Sequence, residues 1–347
     1  MTRIYLDHNA TTPLRPLARA AMIAAMDALG NPSSVHAEGR VAKGLIEAAR
    51  LDLAEALGAL GADLVFTSGA TEAAALALAG RGLVGAAIEH DAVLGWIDPS
   101  LQVNASGLVT VAQPERSVLQ LANSETGVIQ ILPVGLAVSD ISQAVGRIPF
   151  AYGWAGVGMA VLSAHKFGGP KGVGALIVPQ GHEITAQFRG GGQEMGRRAG
   201  TENIIGIVGM AAAAKAAMRD LADGVCDKVA QLRNILEETV EVAAPDTIFI
   251  GRDVGRLPNT SCFASPGWKG ETQVMAMDLS GFAISAGSAC SSGKVRESRV
   301  LRAMGHDTQV ASCAVRLSLG PDTTEAQVLQ FVRVWAEKLT KRHARAA

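Results

Sequence analysis

The chain has 347 residues, of which 48% are hydrophobic and 18% are charged, so a mainly disordered chain is excluded. Lysine and arginine number 31 against 32 aspartates and glutamates, which gives a formal net charge of −1. This balance provides no basic surface of the kind that binds DNA, and we expect no direct DNA binding. The longest apolar run, residues 204–214, ends at Lys215 and is too short to cross a membrane.

The first residues and the cysteines bear on the cell compartment. The N-terminus has neither an apolar signal region nor a leader rich in Arg and Ser, which predicts a cytoplasmic protein. The four cysteines, Cys226, Cys262, Cys290 and Cys313, show no C-x-x-C spacing, so we expect neither a zinc site nor a disulfide framework. Most of them are expected to be small buried hydrophobic residues.

Hydrophobic periodicity predicts alternating helices and strands. Helical spacing indicates helices at 13–29, 37–57, 203–221, 228–240 and 324–342, and the segment 68–72 is expected to turn into an Ala-rich helix that runs to Gly80. Short apolar runs, several of them bounded by Gly, Pro or polar residues, indicate strands at 63–67, 83–88, 108–112, 117–122, 134–139, 157–163 and 173–178. After Pro245 the elements become shorter. This order predicts an α/β fold with a mainly parallel sheet, followed by a smaller α+β domain that begins near residue 245.

Lys166 lies in the segment SAHKFGGPKG, directly after the strand predicted at 157–163. A lysine at the end of a sheet strand is well placed to form a Schiff base with an aldehyde cofactor. Ser163 and His165 beside it offer hydrogen-bond donors to a phosphate. Taken alone, Lys166 is more simply read as an ordinary surface lysine.

The segment Ser68–Glu72 marks a predicted strand-to-helix junction. The first N–H groups of a helix have no partner within the helix, and the helix dipole favours an anion there, so this junction is a candidate phosphate site. The alternative is a capping box with Ser68 at the cap and Glu72 in the first turn.

Asp140 and His90 each follow a predicted strand. A carboxylate at Asp140 is placed to pair with a protonated pyridine nitrogen, although it would serve equally well as a helix cap. The flat imidazole of His90 is a candidate to lie against a cofactor ring, but a lone histidine at a strand end is more often structural.

Cys290 and Arg316 are candidates for chemistry on a substrate. Small residues surround Cys290 in SAGSACSSG, so its thiol is a candidate nucleophile when it is deprotonated. Arg316 lies in the strand-like run VRLSLG, and its planar guanidinium suits a substrate carboxylate. The alternative for Arg316 is a structural ion pair within the strand.

Together these segments resemble the cysteine desulfurases, in the class-V aminotransferase group of pyridoxal-phosphate enzymes. The resemblance spans essentially the whole chain. Its motifs are YLDHNATTP at 5–13, GNPSSVH at 30–36, FTSGATEA at 66–73, EHDAV at 89–93, NSETG at 123–127, D-x-x-Q at 140–143, SAHKFGGPKGVGAL at 163–176, GGGQEMGRRAGTEN at 190–203, GSACSSG at 287–293 and RLSLG at 316–320.

The resemblance implies a fold and a set of cofactor contacts. The fold is that of the pyridoxal-phosphate transferases, similar to aspartate aminotransferase, with a large domain at 14–245 and a small domain of 1–13 with 246–347. Lys166 would hold the cofactor covalently and move protons, Asp140 would pair with the ring nitrogen, and His90 would stack on the ring. Gln143 would bond the phenolic oxygen. The phosphate would be held by Ala70, Thr71, Ser163 and His165.

The resemblance also implies a substrate and partners. Arg316 would bind the carboxylate of L-cysteine, and Cys290 would attack the substrate sulfur, leaving alanine and a Cys290 persulfide. Thr201 would reach the phosphate site of the partner subunit in a homodimer. The 26-residue separation of Cys290 and Arg316 matches the branch that passes sulfur directly to a scaffold protein, for iron–sulfur cluster assembly or thiolation.

Three features depart from the family's pattern. The family usually has two asparagines before Glu-Thr-Gly, whereas this chain has Asn123, a substrate contact by resemblance, followed by Ser124, whose hydroxyl would contact the cofactor with shorter reach. Met195 stands where arginine is usual. The region between His90 and Asp140 is shortened. Two alternatives stay open: a selenocysteine lyase or other class-V enzyme, against which Cys290 in GSACSSG speaks, and a non-catalytic paralogue, which the shortened region and Ser124 suggest.

Overall fold

The computed structural model describes residues 3–287 and 297–346. Its α-helices are α1 (Pro16–Met26), α2 (Ala37–Ala56), α3 (Ala70–Leu78), α4 (Asp91–Leu94), α5 (Tyr152–Ala155), α6 (Ile204–Ala222), α7 (Val225–Ala243), α8 (Gly270–Asp278), α9 (Arg299–Ala303), α10 (Thr308–Cys313) and α11 (Glu325–Ala346). Its strands are β1 (Ile4–Tyr5), β2 (Ala62–Thr67), β3 (Val84–Ala86), β4 (Asp98–Leu101), β5 (Leu136–Asp140), β6 (Val157–Ser163), β7 (Gly174–Pro179), β8 (Ile248–Phe249), β9 (Thr260–Ala264), β10 (Phe282–Ala283), β11 (Ser285–Ala286) and β12 (Ala314–Ser318). Short 3₁₀ turns lie at Pro114–Arg116, Ala164–Lys166 and Gln193–Gly196.

The larger sheet is mainly parallel, as the sequence predicts. Its strand order is β2-β7-β6-β5, and only β7 runs antiparallel to its neighbours. Parallel bridges from Val118 to Val138 and from Ser117 to Val84 extend it toward the parallel pair of β3 and β4. Because β2, β5 and β6 point the same way, the segments that follow them emerge at one edge of the sheet.

Helices cover both faces of this sheet because its strands are apolar on both sides. Along β7, Ala175 and Ile177 pack with the core that includes α2 and α6, whereas Leu176 and Val178 pack with α3 on the opposite face. This period of two follows from the pleat of the strand. The sheet is therefore a rigid platform for the segments at its edge.

A second core forms around the antiparallel sheet β11-β12-β9-β8. Its largest buried side chains include Phe263, Phe331 and Trp335, and Leu6 from the start of the chain joins them. The buried side of α7 also packs into this core, so the chain passes from one core to the other before residue 245. The domain boundaries inferred from the sequence stay a prediction.

Two predicted strands differ from the structure. Residues 108–112 form no strand, because Asn104 and Gly107 close a turn and only a single bridge joins Val103 to Val109. Residues 117–122 are extended but pair only through isolated bridges. The other predicted strands and all the long predicted helices form, with ends shifted by a few residues.

No helix in the described ranges is long and apolar enough to span a membrane. Across the same residues, no group of three or more His, Cys, Asp and Glu side chains is arranged to hold a metal ion.

Candidate active site

A cleft of about 540 Å³ lies at the edge of the large sheet where β2, β5 and β6 end. We call it the cofactor cleft. The sequence-predicted residues that line it are Ala70, Thr71, His90, Ser124, Asp140, Gln143, Ser163, His165 and Lys166. Segments that are far apart in sequence thus meet because the parallel strands bring their carboxyl ends to one edge.

One end of the cofactor cleft is suited to an anion. Helix α3 begins there at Ala70, and no side chain caps its first N–H groups, which therefore remain available to a ligand. The loop before α3 can approach the sheet closely because residue 174 is a glycine. A Cβ at Gly174 would lie 2.7 Å from the Cα of Gly69. The backbone therefore brings the loop before α3 directly against the start of β7, which pairs with the end of β6.

Glu72 supports this turn without blocking it. Its carboxylate accepts the Ser68 N–H at 2.7 Å and the Arg198 Nε–H at 2.7 Å. Burial opposes its ionisation, but these hydrogen bonds hold the pKa of Glu72 below its ordinary value. Only half of the capping box proposed as the alternative is present. Glu72 accepts a backbone N–H, but the Ser68 side chain does not cap the helix.

His165 lies beside this anion site as a neutral imidazole. Burial, together with the charges of Lys166 and Lys171, lowers the pKa of His165 to about 4. Its Nδ1 is buried and has no hydrogen-bond partner among the described residues. A buried polar atom of this kind points to a ligand that completes the site.

Lys166 ends the 3₁₀ turn that follows β6 and connects this turn to the start of the chain. Its Nζ donates to the carbonyls of Asn9 at 2.8 Å and Ala10 at 3.0 Å. Its own carbonyl accepts the Thr12 hydroxyl at 2.9 Å. These contacts direct the amino group into the cofactor cleft.

Asp140 is the last residue of β5, and its Oδ1 accepts the Ser142 N–H at 2.8 Å. Glu89 is fully buried nearby and accepts the Gln120 N–H at 2.8 Å. Burial, reinforced by the Asp140 charge, raises the pKa of Glu89 to about 8. At neutral pH the site therefore holds a protonated carboxylic acid close to Asp140.

His90 caps the N-terminus of α4. Its Nδ1 accepts the Ala92 N–H at 3.1 Å, so a neutral imidazole carries its proton on Nε2. The ring lines the cofactor cleft and also a second cleft of about 540 Å³, which we call the arginine cleft. His90, Lys166 and Ser124 line both clefts, so the two are continuous at Lys166.

Arg316 lies on β12 and lines the arginine cleft. It donates to the Asp7 carboxylate at 2.6 Å and to the Ser124 carbonyl at 2.9 Å, whereas its buried Nε has no partner in the described part of the chain. Asp7 also accepts the Ser285 hydroxyl at 2.8 Å. The ion pair that the sequence left as an alternative is thus present, and the guanidinium is held at the cleft.

Glu125 lines the same cleft and is fully buried. Burial raises the pKa of Glu125 to about 7, although a hydrogen bond with Ser298 and the charges of Arg316 and Arg299 oppose the shift. This carboxyl group therefore changes its charge near neutral pH.

Two predicted site residues lie outside both clefts, and a third is not among the described residues. Asn123 is buried and lines neither cleft, because its amide holds the turn that follows it and donates to the Ile88 carbonyl at 3.1 Å. Thr201 is exposed on this single chain and lies outside both clefts. Cys290 lies outside the described residues.

Sequence reasoning missed Asp7, Asn9 and Lys171 as residues of the two clefts. Asp7 and Asn9 belong to the YLDHNATTP motif. The motif could have indicated that they lie at the site, but it does not show which residues they contact. Lys171 belongs to the same glycine-rich loop as Lys166.

The cofactor cleft fits pyridoxal phosphate. The uncapped turn of α3 and the partnerless Nδ1 of His165 suit its phosphate, Asp140 suits a protonated ring nitrogen, and Lys166 suits its aldehyde. The residues that line the cleft thus include a partner for each of these polar groups of the cofactor.

Comparisons with known proteins agree with this geometry. The aminotransferase class-V family model matches residues 4–96 and 112–331, so the unmatched residues 97–111 lie within the shortened region. A cysteine desulfurase from Cereibacter sphaeroides is 38% identical, over 96% of this chain and 95% of the relative.

Solved structures are similar as well. A NifS-like protein from Rickettsia africae superposes with a TM-score of 0.87 at 31% identity, over 96% of this chain and 99% of that one. A structure described as SspA in complex with cysteine superposes with a TM-score of 0.76 at 27% identity, over 93% of this chain and 100% of that one.

Proposed function

Since the chain belongs to the aminotransferase class-V family, we propose that it is a pyridoxal-phosphate-dependent cysteine desulfurase that transfers sulfur from L-cysteine to its own Cys290. The observation that carries the proposal is the meeting of two clefts at Lys166. One cleft contains the protein groups that suit the cofactor, and the other presents the guanidinium of Arg316 for an amino-acid carboxylate.

The residues of the site divide the work of this reaction. When bound, pyridoxal phosphate supplies an electron sink conjugated to the substrate's amino group. Asp140 holds a proton on the ring nitrogen, which keeps that sink effective. Lys166 would bind the cofactor and then move protons, and His90 lies where the two clefts join.

Cys290 completes the reaction in this proposal. Its thiolate forms a sulfur–sulfur bond with the substrate sulfur, the carbon–sulfur bond breaks, and the carbon that keeps the electron pair takes up a proton. The products are alanine and a Cys290 persulfide. None of the cysteines in the described ranges lines either cleft, and burial raises the pKa of Cys226 and, strongly, of Cys262.

We further propose that the active unit is a homodimer in which Thr201 completes the phosphate site of the partner. Two observations support this. Thr201 is exposed on the single chain, and its neighbour Glu202 lines a surface groove with Leu51 and Met195, two apolar side chains that are more than half exposed. Such apolar exposure is typical of an interface.

The sulfur acceptor and the compartment are also proposals. A scaffold protein for iron–sulfur cluster assembly or thiolation is the proposed acceptor. The cytoplasm is the proposed location, since a persulfide-forming thiol needs a reducing compartment. The three cysteines in the described ranges are free, which is compatible with such a compartment.

The experiment is to add L-cysteine and a reductant to the purified protein and to measure alanine and sulfide. We expect equimolar products from the wild-type protein and none from Lys166→Ala, because that variant lacks the amino group that binds the cofactor. Lys215→Ala is the matched control, since Lys215 pairs with Asp52 on the surface.

Borohydride reduction followed by mass spectrometry gives a second readout. It should link the cofactor covalently to the wild-type protein and to Lys215→Ala but not to Lys166→Ala. A wild-type protein that binds the cofactor but releases no alanine from cysteine would refute the proposed activity.

A further inference from the structure

We propose that Arg147 is a positioning residue that fixes the side-chain amide of Gln143 with its NH2 group turned toward the cofactor cleft. The inference rests on the proposed function, because the group that this amide meets is the phenolic oxygen of pyridoxal phosphate. Arg147 itself does not line the cofactor cleft, so it acts through Gln143.

Arg147 is buried, and its partners are all neutral. Its guanidinium donates to the carbonyls of Gln143 at 3.2 Å, His8 at 3.1 Å and Lys166 at 2.9 Å, and to the side-chain oxygen of Gln143. No carboxylate in the described ranges forms an ion pair with it. A buried charge without a counter-ion is costly, so carbonyl dipoles must compensate it.

Arg147 keeps its charge despite this burial. Burial lowers the pKa of Arg147 to about 10, and the charge of Arg316 adds to the shift, while Cys226 opposes it. The group is therefore still protonated at neutral pH and presents only hydrogen-bond donors.

This donor-only character decides how Gln143 is turned. A guanidinium cannot accept a hydrogen bond, so the amide must present its oxygen to Arg147 and its NH2 group to the other side. One N–H of that group donates to the Asn9 carbonyl at 3.0 Å. The second N–H remains for the cofactor cleft, which Gln143 lines.

The same guanidinium ties this amide to the cofactor lysine. Arg147 holds the Lys166 carbonyl, and the Asn9 carbonyl accepts from both Gln143 and Lys166 Nζ. The Lys166 and Asn9 carbonyls thus link Arg147, Gln143 and Lys166. The loss of Arg147 should therefore loosen both the Gln143 side-chain amide and the backbone of Lys166.

The test is a pH titration of the visible absorbance of the cofactor-loaded protein. A donor to the phenolic oxygen favours the form in which that oxygen carries an uncompensated negative charge, so loss of the donor should raise the midpoint. We expect Gln143→Ala to raise it by about one pH unit. Arg147→Met should raise it by a similar amount, and Arg147→Lys should retain most of the wild-type value because it keeps a donor.

A double-mutant cycle separates positioning from a charge effect. In the Gln143→Ala background, Arg147→Met should shift the titration midpoint by no more than half of its shift in the wild-type protein. The affinity of the apoprotein for the cofactor should follow the same pattern, with a loss of roughly tenfold in each single variant. Arg15→Lys is the control, because Arg15 donates to the Phe167 carbonyl but does not contact Gln143.

A further variant leaves Arg147 in place, in case its removal prevents folding. Gln143→Glu keeps oxygens toward the guanidinium but has no N–H for the cofactor or for the Asn9 carbonyl, so it should raise the midpoint by at least as much as Gln143→Ala. A full Arg147→Met shift in the Gln143→Ala background, or a Gln143→Glu midpoint equal to the wild-type value, would overturn the inference. A wild-type protein that does not bind the cofactor would instead overturn the proposed function on which it rests.

Discussion

At the residue scale, burial sorts the ionisable groups of the site into charged and neutral forms. His165 and Glu89 are neutral at pH 7, since burial lowers the pKa of the histidine and raises that of the acid. Arg147 stays charged because backbone carbonyls accept hydrogen bonds from its buried guanidinium. The site proposed for the cofactor is thus surrounded by both neutral and charged groups.

Glu89 should make the protein less stable as the pH rises. Its pKa is about 8 in the folded chain against 4.5 as the ordinary value, so between these values only the unfolded chain gives up the proton. Stability is therefore lost through this window, by about 1.4 kcal/mol per pH unit, and is constant above it.

The measurement is urea unfolding of wild type and Glu89→Gln from pH 5 to pH 9. The free energy of unfolding of Glu89→Gln, taken relative to that of the wild type, should increase by about 3–4 kcal/mol between pH 5 and pH 8. Glu55→Gln, on the exposed side of α2, should follow the wild-type curve. Parallel curves for Glu89→Gln and wild type would show that Glu89 is ionised in the folded protein.

Arg316→Ala should weaken the use of cysteine much more than the binding of the cofactor. Loss of a charge-assisted contact to the substrate carboxylate costs on the order of 1.5–3 kcal/mol, so the KM for cysteine should rise roughly 10- to 150-fold. Arg299→Ala is the control on the same cleft, because Arg299 is half exposed and pairs with Asp91. An unchanged KM in Arg316→Ala would assign the carboxylate to another residue.

The sequence located most of the cofactor cleft, since its residues follow strands that hydrophobic runs reveal. It did not reveal the Asp7–Arg316 pair, because 309 residues separate the two and only the packing of β12 beside the start of the chain brings them together. Asn123 was predicted as a substrate contact on resemblance alone, and the turn that occupies its side chain is a local effect that the motif does not show.

At the element scale, the site depends on how closely the loop before α3 approaches the sheet. The helices that the sequence predicted are long and strongly periodic, and they form. The strand predicted at 108–112 does not form, since a short apolar run has no period to distinguish a strand from a turn-bounded loop.

Gly174→Ala should damage the anion site. Its Cβ would lie 2.6 Å from the Leu162 carbonyl oxygen and 2.7 Å from the Gly69 Cα, so the loop before α3 must move away. We expect a loss of stability of about 1–3 kcal/mol and weaker cofactor binding. Equilibrium unfolding and cofactor titration of the apoprotein measure the two effects.

Gly44→Ala is the matched control for that variant. Gly44 lies within α2, where an added Cβ would meet no atom within 4 Å, so alanine should stabilise the helix by about 0.5–1 kcal/mol. Equal effects of the two substitutions would contradict the packing argument.

At the scale of the whole molecule, two cores meet around one site. Arg316 comes from the small antiparallel sheet and Lys166 from the large sheet, so the clefts between them depend on both. The sequence predicted a change of architecture near residue 245. It could not predict that α7 packs with the second core. An amphipathic pattern shows which face of a helix is buried but not which part of the protein that face packs against.

The proposed dimer predicts that one chain alone is incomplete. Sedimentation equilibrium should give twice the chain mass for the cofactor-loaded protein, and Thr201→Ala should weaken cofactor binding although Thr201 lies outside the clefts of its own chain. Thr272→Ala, at an exposed position on α8, should leave the affinity unchanged. An active, cofactor-loaded monomer would contradict this account.

The central claim is that sulfur passes from cysteine to Cys290, and thiol-trapping mass spectrometry of the cysteine-treated protein tests it most directly. The account predicts a persulfide on the Cys290 peptide of the wild-type protein and of the single alanine variants of Cys226, Cys262 and Cys313. Cys290→Ala should keep the bound cofactor and its spectral response to cysteine but carry no persulfide and release no alanine. Alanine released by Cys290→Ala at the wild-type rate would contradict the account, because the sulfur would then leave by direct elimination.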